Sequence, residues 1–336
     1  MSILSGLQVR AAQAFRQVPP WASLLLTRFC VAKASPKIWT QNDSQVGRTP
    51  LDFKLNKLVF GTFFGLAFGC ANSPYTILPS ENFDSRIRHI VIHYTSENLE
   101  QSIEILTRPS SNSVSSHYLV SQSGENDELK QPVKTYRLVA ERNRAWHAGR
   151  SYWHGQRDLN FSSIGIEIVN ESGCDAPIQS LENSETFYVS CQFKPFSDEQ
   201  IRAVVSLLKD ILRRHPEIKP INIVGHSDIA PNRKVDPGPT FPWKTLYNSG
   251  IGTWYEEEDV EHFKSSFEKK GYPSVLEVQK KLANIGYELE LSGVQDLPSQ
   301  FAVRAFQARY TPENMDGFLD NETTAVIFAI EKKYRQ

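Results

Sequence analysis

The chain has 336 residues, 40% hydrophobic and 22% charged. That is long enough for two packed domains, since a single core stops growing at roughly 250–300 residues. The formal net charge is −1, so there is no global basic surface to draw nucleic acid, and a neutral or sugar-peptide substrate fits better than a polyanion.

Five basic residues precede the first acidic one, Asp43, and Pro19-Pro20 interrupts any helix there. Taken alone, this start resembles an organellar presequence. Lys54 and Lys57 then precede an apolar run of 12 residues, 58–69, which ends at Cys70. Such a run is too short to span a membrane, which takes about 20 residues, and suits a signal-peptide core. A basic start, a short apolar core and a small residue before cysteine resemble a bacterial lipoprotein signal, with cleavage before Cys70 and lipid on its thiol; a plainly cleaved secretory signal and a retained anchor are the alternatives. Because secretory signals sit at the N-terminus itself, residues 1–50 are expected to be no part of the working protein, and 71–83 to be a linker.

Residues 84–252 read as mixed α/β, with strands at 89–94, 117–120, 136–139, 163–169 and 221–224 and a helix at 99–106. The clearest helix starts at Ser197 with Gln200 three residues on, a capping-box pattern. Ile201, Val204, Val205, Leu208, Ile211 and Leu212 recur at helical spacing as its core face, and Pro216 ends it. Residues 252–259 are polar and acidic and read as a linker. Four short amphipathic helices follow, near 260–270, 274–286, 299–310 and 322–334, with small apolar faces and no ionisable cluster, which suits binding better than chemistry. The expected fold class is a mixed central β-sheet flanked by helices, plus a small all-helical C-terminal domain over 260–336.

The chemistry gathers in 224–243, where His226, Lys234 and Asp236 stand in a loop stiffened by Pro231, Pro237, Pro239 and Pro242. A residue before proline is held toward extended geometry, and in an extended stretch residues two apart point the same way. Lys234 and Asp236 should therefore face one point. A carboxylate and an imidazole aimed together suggest a divalent metal, zinc foremost, and a third ligand is then needed. In the strand 89–94, His93 falls on the face opposite Ile90 and Ile92 and stands at the strand's exit, where it is either the third ligand or a satisfied core histidine. In 163–169, Ile164, Ile166 and Ile168 share one face and leave Gly165 and Glu167 on the other. Glu167 is either an edge residue paired with a surface lysine or, beside a cavity, a carboxyl with the raised pKa that a general base wants. Of the four cysteines, Cys30, Cys70, Cys174 and Cys191, none forms a CxxC pair, which gives no support to a zinc finger or thioredoxin-like centre. Cys174 and Cys191 flank a polar insertion and could close it with a disulfide worth about 3 kcal/mol in an oxidising space.

Six motifs in order, HYT (His93), SSHYLV (His117), AWHAG (Trp146, His147), SIGIE (Glu167), GHSDIAP (His226) and RKVDPGPTFPW (Lys234, Asp236), resemble the zinc-dependent N-acetylmuramoyl-L-alanine amidases of the amidase-2 class. Their order and spacing are closest to the branch of outer-membrane lipoproteins. The resemblance covers about 88–254. It implies one zinc ion held by His93, His226 and Asp236, Glu167 as general base, Lys234 as the cation near the developing oxyanion, and a peptidoglycan or muropeptide substrate cut between N-acetylmuramic acid and L-alanine. His147 and Trp146 are expected at the substrate, and His117 in a structural role. The rival is a non-catalytic peptidoglycan-recognition protein on the same fold; such binders lose a metal ligand, and all three are present here. The C-terminal helices resemble a peptidoglycan-binding domain through Leu282, Ile285, Gly286 and Tyr287, Ala305 to Gln307, and Asp316 to Asp320. A cell-envelope location follows from this resemblance, on the periplasmic side of the outer membrane if Cys70 is lipidated.

Overall fold

The structure, a computed structural model, describes residues 75–122, 132–174 and 190–335. The expectations for 1–50, for the apolar run 58–69 and for Cys70 fall outside these residues. Among the described residues no helix is long and apolar enough to cross a membrane.

In chain order, β1 (His89–Tyr94) leads through α1 (Leu99–Thr107) to β2 (Tyr118–Val120) and β3 (Thr135–Arg137). A small hairpin of β4 (Tyr152–Trp153) and β5 (Gln156–Arg157) precedes β6 (Ser163–Ile168). A second hairpin, β7 (Gly173–Cys174) and β8 (Cys191–Gln192), precedes α2 (Asp198–Arg214). β9 (Ile223–Gly225) runs straight into the short α3 (His226–Ile229), followed by α4 (Trp243–Asn248). The C-terminal helices are α5 (Glu257–Lys270), α6 (Val275–Ile285), α7 (Leu297–Tyr310) and α8 (Asn321–Arg335).

The main sheet has the order β3-β2-β6-β1-β9, parallel throughout except for the antiparallel β2/β3 pair. Parallel strands are covered on both faces and so read as apolar runs. Ile90, Val91, Ile92, Ile164, Ile166 and Ile168 are accordingly all fully buried. α2 lays Ile201, Val204, Leu207, Leu208 and Ile211 into the same core, and each such side chain removed from water contributes about 1.5–3 kcal/mol. Its start is fixed as expected: Gln200 N–H donates to Ser197 Oγ and the Gln200 side chain accepts from Ser197 N–H, both at 3.2 Å. The Gln200 amide also donates to Val169 O at 2.8 Å, which ties the helix to the end of β6.

Three differences from the sequence reading have physical causes. β9 begins at Ile223 because Pro220, with its fixed φ, opens a 3-10 turn over Pro220–Asn222. Residues 252–259 are no free linker: Thr253 and Trp254 are buried and Glu257 already opens α5. α7 has no small apolar face, for it is buried along nearly its whole length, Phe301 to Tyr310. The reason is that sheet and C-terminal helices share one continuous apolar core. Trp153 of β4 meets Tyr287 edge to face at 5.1 Å, and its indole lies where a Cβ on Gly286 would stand, 2.6 Å away. Residues Ile77–Gln336 accordingly form one unit.

Candidate metal centre and active site

The site lies at the carboxyl ends of the parallel strands, where open α/β sheets place their ligands. The β1/β6 register sets His93 opposite Glu167 and Val91 opposite Gly165, so the alternation that segregated the isoleucines brings both functional side chains to one face. β9 ends at Gly225, opposite Ile92, and the next residue, His226, opens α3. The proline-rich loop folds back over this corner. A Cβ on Gly225 would stand 2.7 Å from Pro237 Cδ, so only glycine admits the loop. Ser227 N–H donates to Asp236 O at 2.8 Å, and the Asp236–Pro237 peptide bond is cis.

Three ligand atoms converge. His93 Nδ1 lies 2.9 Å from His226 Nδ1 and 3.0 Å from Asp236 Oδ2, and His226 Nδ1 lies 3.1 Å from the same oxygen. All three residues are buried. The surrounding hydrogen bonds fix the tautomer of His93. Ser163 donates its hydroxyl to Leu159 O at 2.6 Å and so accepts from His147 Nε2–H at 3.1 Å. His147 Nδ1 is then an acceptor and takes the His93 Nε2–H at 3.0 Å. Neutral His93 therefore turns a bare Nδ1 lone pair inward. His226 does the same in the tautomer whose Nε2–H donates to the Ala148 carbonyl at 3.3 Å, although the Arg233 guanidinium also stands 3.4 Å from that nitrogen. Two nitrogen lone pairs and a carboxylate oxygen face one another within about 3 Å with no proton between them in this tautomer, a donor set that fits a divalent cation such as zinc.

The electrostatics agree with that donor set. Burial lowers His226 to about 3 and His147 well below the ordinary histidine value, so both imidazoles are neutral near pH 7. Burial would raise Asp236, but when the facing histidine nitrogens carry protons their charge and hydrogen bonds outweigh it and hold the carboxylate well below its usual range, the part a bound cation would play when those nitrogens are bare. Burial raises Glu167 to about 7, against the pull of His93 and Lys234 and with the reinforcement of Asp236. Glu167 Oε2 is buried without a hydrogen-bond partner among the described residues, an acceptor free to take a water proton.

A cavity of about 580 Å³ opens above these groups. His93, Glu167, His226, Lys234 and Asp236 all line it, as do Trp146 and His147. Trp146 is 50% exposed at the rim, with the Arg144 guanidinium 3.9 Å over its ring. His147 is buried behind His93, in a space that exists because residue 165 has no side chain: a Cβ there would stand 2.4 Å from the imidazole. His117 accepts from Gly165 N–H at 3.0 Å and donates to Asn143 O at 3.2 Å, a structural role within the sheet. Cys174 and Cys191 pair across β7/β8 and are joined by a disulfide, S–S 2.04 Å, with Cys174 on the cavity wall. Sequence reasoning missed Ser163, whose role needs the tertiary contact to His147, and Arg233, which donates to the Ala148 and Arg150 carbonyls beside His226.

The family model for N-acetylmuramoyl-L-alanine amidase matches residues 83–239, and one for a peptidoglycan binding domain matches 271–327. The chain is 36% identical over 251 residues to N-acetylmuramoyl-L-alanine amidase AmiD of Escherichia coli (strain K12), across 75% of this chain and 84% of that one. The crystal structure of AmpDh3 from Pseudomonas aeruginosa in complex with anhydromuramic pentapeptide is similar with a TM-score of 0.69 at 36% identity, covering 79% of this chain and 98% of that one. The complex of E. coli AmiD with anhydro-N-acetylmuramic acid-L-Ala-D-gamma-Glu-L-Lys gives a TM-score of 0.63 at 35% identity, covering 77% and 94%. Joined to a strand-end site of two histidines, an aspartate and a glutamate, these matches establish that the chain belongs to the N-acetylmuramoyl-L-alanine amidases, hydrolases of the amide between N-acetylmuramic acid and the L-alanine of the peptidoglycan stem peptide.

Proposed function

We propose that this amidase is zinc-dependent, with His93, His226 and Asp236 as the ligands, Glu167 as the proton carrier and Lys234 as the oxyanion cation. The observation that carries the reading is the convergence of two buried imidazole nitrogens and a carboxylate oxygen beside Glu167 Oε2, which has no hydrogen-bond partner among the described residues. Zinc bound there would supply an activated water and polarise the scissile carbonyl. Glu167 takes a proton from the attacking water and delivers it to the leaving L-alanine amine; its raised pKa, about 7, suits both transfers. Lys234 makes no ion pair with the described residues and lines the same cavity, so its ammonium is free to stabilise the negative charge that develops on the carbonyl oxygen. Trp146 offers its half-exposed ring to the sugar or peptide.

The substrates are muropeptides of the kind named in the relatives' complexes, together with the wall itself, which the C-terminal region is suited to bind. The working location is the cell envelope, and we propose a lipid anchor on Cys70 at the periplasmic face of the outer membrane. Mass spectrometry of products from anhydro-muropeptides, with and without a chelator, tests the chemistry: release of intact stem peptide that stops on chelation is expected, and release unaffected by metal removal would overturn the zinc assignment. Intact mass of native protein tests the anchor, and a free Cys70 thiol would remove it.

A further inference from the structure

The C-terminal helices bring two buried polar side chains to one acceptor, Tyr287 just after α6 and Arg309 near the end of α7. Both reach across to Asp228, a residue of α3 that is 1% exposed. The Asp228 carboxylate accepts three hydrogen bonds: from Gly225 N–H at 2.7 Å, from the Tyr287 hydroxyl at 2.6 Å and from Arg309 Nη1 at 3.0 Å. Only the first comes from its own segment. Arg309 is held in turn by Thr253 Oγ1 at 3.0 Å and by the Trp243 ring, 4.1 Å below its guanidinium.

Gly225 and Asp228 bracket His226. α3 is four residues long, too short to be stable by its own hydrogen bonds, so the direction in which it aims His226 depends on what clamps its ends. Asp228 is that clamp, pulling in the N–H of the residue before His226. A buried carboxylate holds such a position only while its charge is neutralised. Here the neutralising cation and the phenol both belong to the C-terminal helices. We infer that these helices are a working part of the metal centre: Tyr287 and Arg309 are positioning residues that set His226 through Asp228. This rests on His226 being a zinc ligand, and it gives the helical region a role beyond wall binding.

The test is the zinc dissociation constant of the full chain, measured by chelator competition alongside circular dichroism. Arg309→Met is expected to weaken zinc binding about 10- to 100-fold, the usual effect of losing an outer-shell partner. Tyr287→Phe should weaken it several-fold, and Arg309→Lys should recover part of the loss. Lys264→Ala, which removes an α5 surface cation paired with Glu261 and Glu322, should leave it unchanged. Tyr287→Phe deletes one hydroxyl and carries the test should Arg309→Met fail to fold. Folded variants with the wild-type zinc constant would overturn the coupling alone. A wild-type chain that holds no zinc would overturn the ligand assignment and this inference with it.

Discussion

Asp228 and Asp236 are both buried carboxylates, two and ten residues beyond His226, and their surroundings differ in kind. Asp228 receives a backbone N–H, a phenol O–H and a guanidinium, all donors that the chain itself supplies. Asp236 faces two imidazole nitrogens, and the ring proton of one, His93, is committed to His147. The first cluster brings its own counter-charge, whereas the second is the donor set that the proposed zinc would complete. A buried charge marks structure where the protein brings the counter-charge and a metal site where it withholds it.

The sharpest way to break this comparison is to remove Asp236 on one side and the counter-charge of Asp228 on the other. Asp236→Ala should keep the fold and lose both bound zinc and amidase activity, as read by metal analysis and product release, because two histidines alone do not hold zinc in a hydrolytic geometry. A variant that kept stoichiometric zinc would make Asp236 a second Asp228. Glu167→Gln should retain zinc while turnover falls by about 10²–10⁴, the worth of a general acid–base group; simultaneous loss of zinc would place Glu167 among the ligands. On the structural side, Arg309→Met leaves the Asp228 carboxylate buried and unpaired, and chemical denaturation should register a loss of about 3–5 kcal/mol. Lys234→Ala should spare the metal and lower turnover by about 10²–10³, and unchanged turnover would reduce Lys234 to a loop cation.

The smallest effect belongs to a fourth carboxylate, Glu141, which accepts from Tyr118, Arg214 and His215. Burial alone would raise it, but these hydrogen bonds, Arg214 first, outweigh burial and hold it at about 2. A depressed carboxyl stabilises the fold above its ordinary pKa, and that stability is lost as the pH falls toward the folded value. Glu141→Gln should therefore cost about 1–2 kcal/mol near pH 7, the full shift being reduced by solvent screening of a partly exposed cluster, and almost nothing near pH 2, as read by urea titration at both. A cost independent of pH would show packing rather than charge.

How far the sequence could be read tracks the range of each signal. Period-two alternation in 89–94 and 163–169 set His93 apart from Ile90 and Ile92, and Glu167 apart from Ile164, Ile166 and Ile168, because a strand's facing is local; that the two stand opposite each other needed the register. The Ser197–Gln200 box was legible for the same reason. The meeting of Lys234 and Asp236 at one cavity followed from proline stiffening of a short loop. What escaped was long-range. The Arg309–Asp228 pair spans 81 residues, and no spacing rule links a helix terminus to a turn so far upstream. His147 was expected at the substrate from its motif alone; its hydrogen bonds to His93 and Ser163 appear only once β6 lies beside β1. The acidic stretch 252–259 looked like a linker because composition reports solvation, while the burial of Thr253 and Trp254 is decided by α7 and α8.

The fit of Trp153 against Gly286 bears on how such proteins can be recombined. Gly286 caps α6 with φ +148 and lets the indole occupy the space of its missing side chain; the next residue supplies the Tyr287 hydroxyl to Asp228. A homologous helical region grafted onto this catalytic sheet at the 252–259 junction would have to bring a glycine, a tyrosine and an arginine to three set places, or the graft would wedge the indole out and strand a carboxylate. The two families meet in one gene as neighbours, but the seam between them is keyed, and exchange across it is restricted to partners cut to the same key.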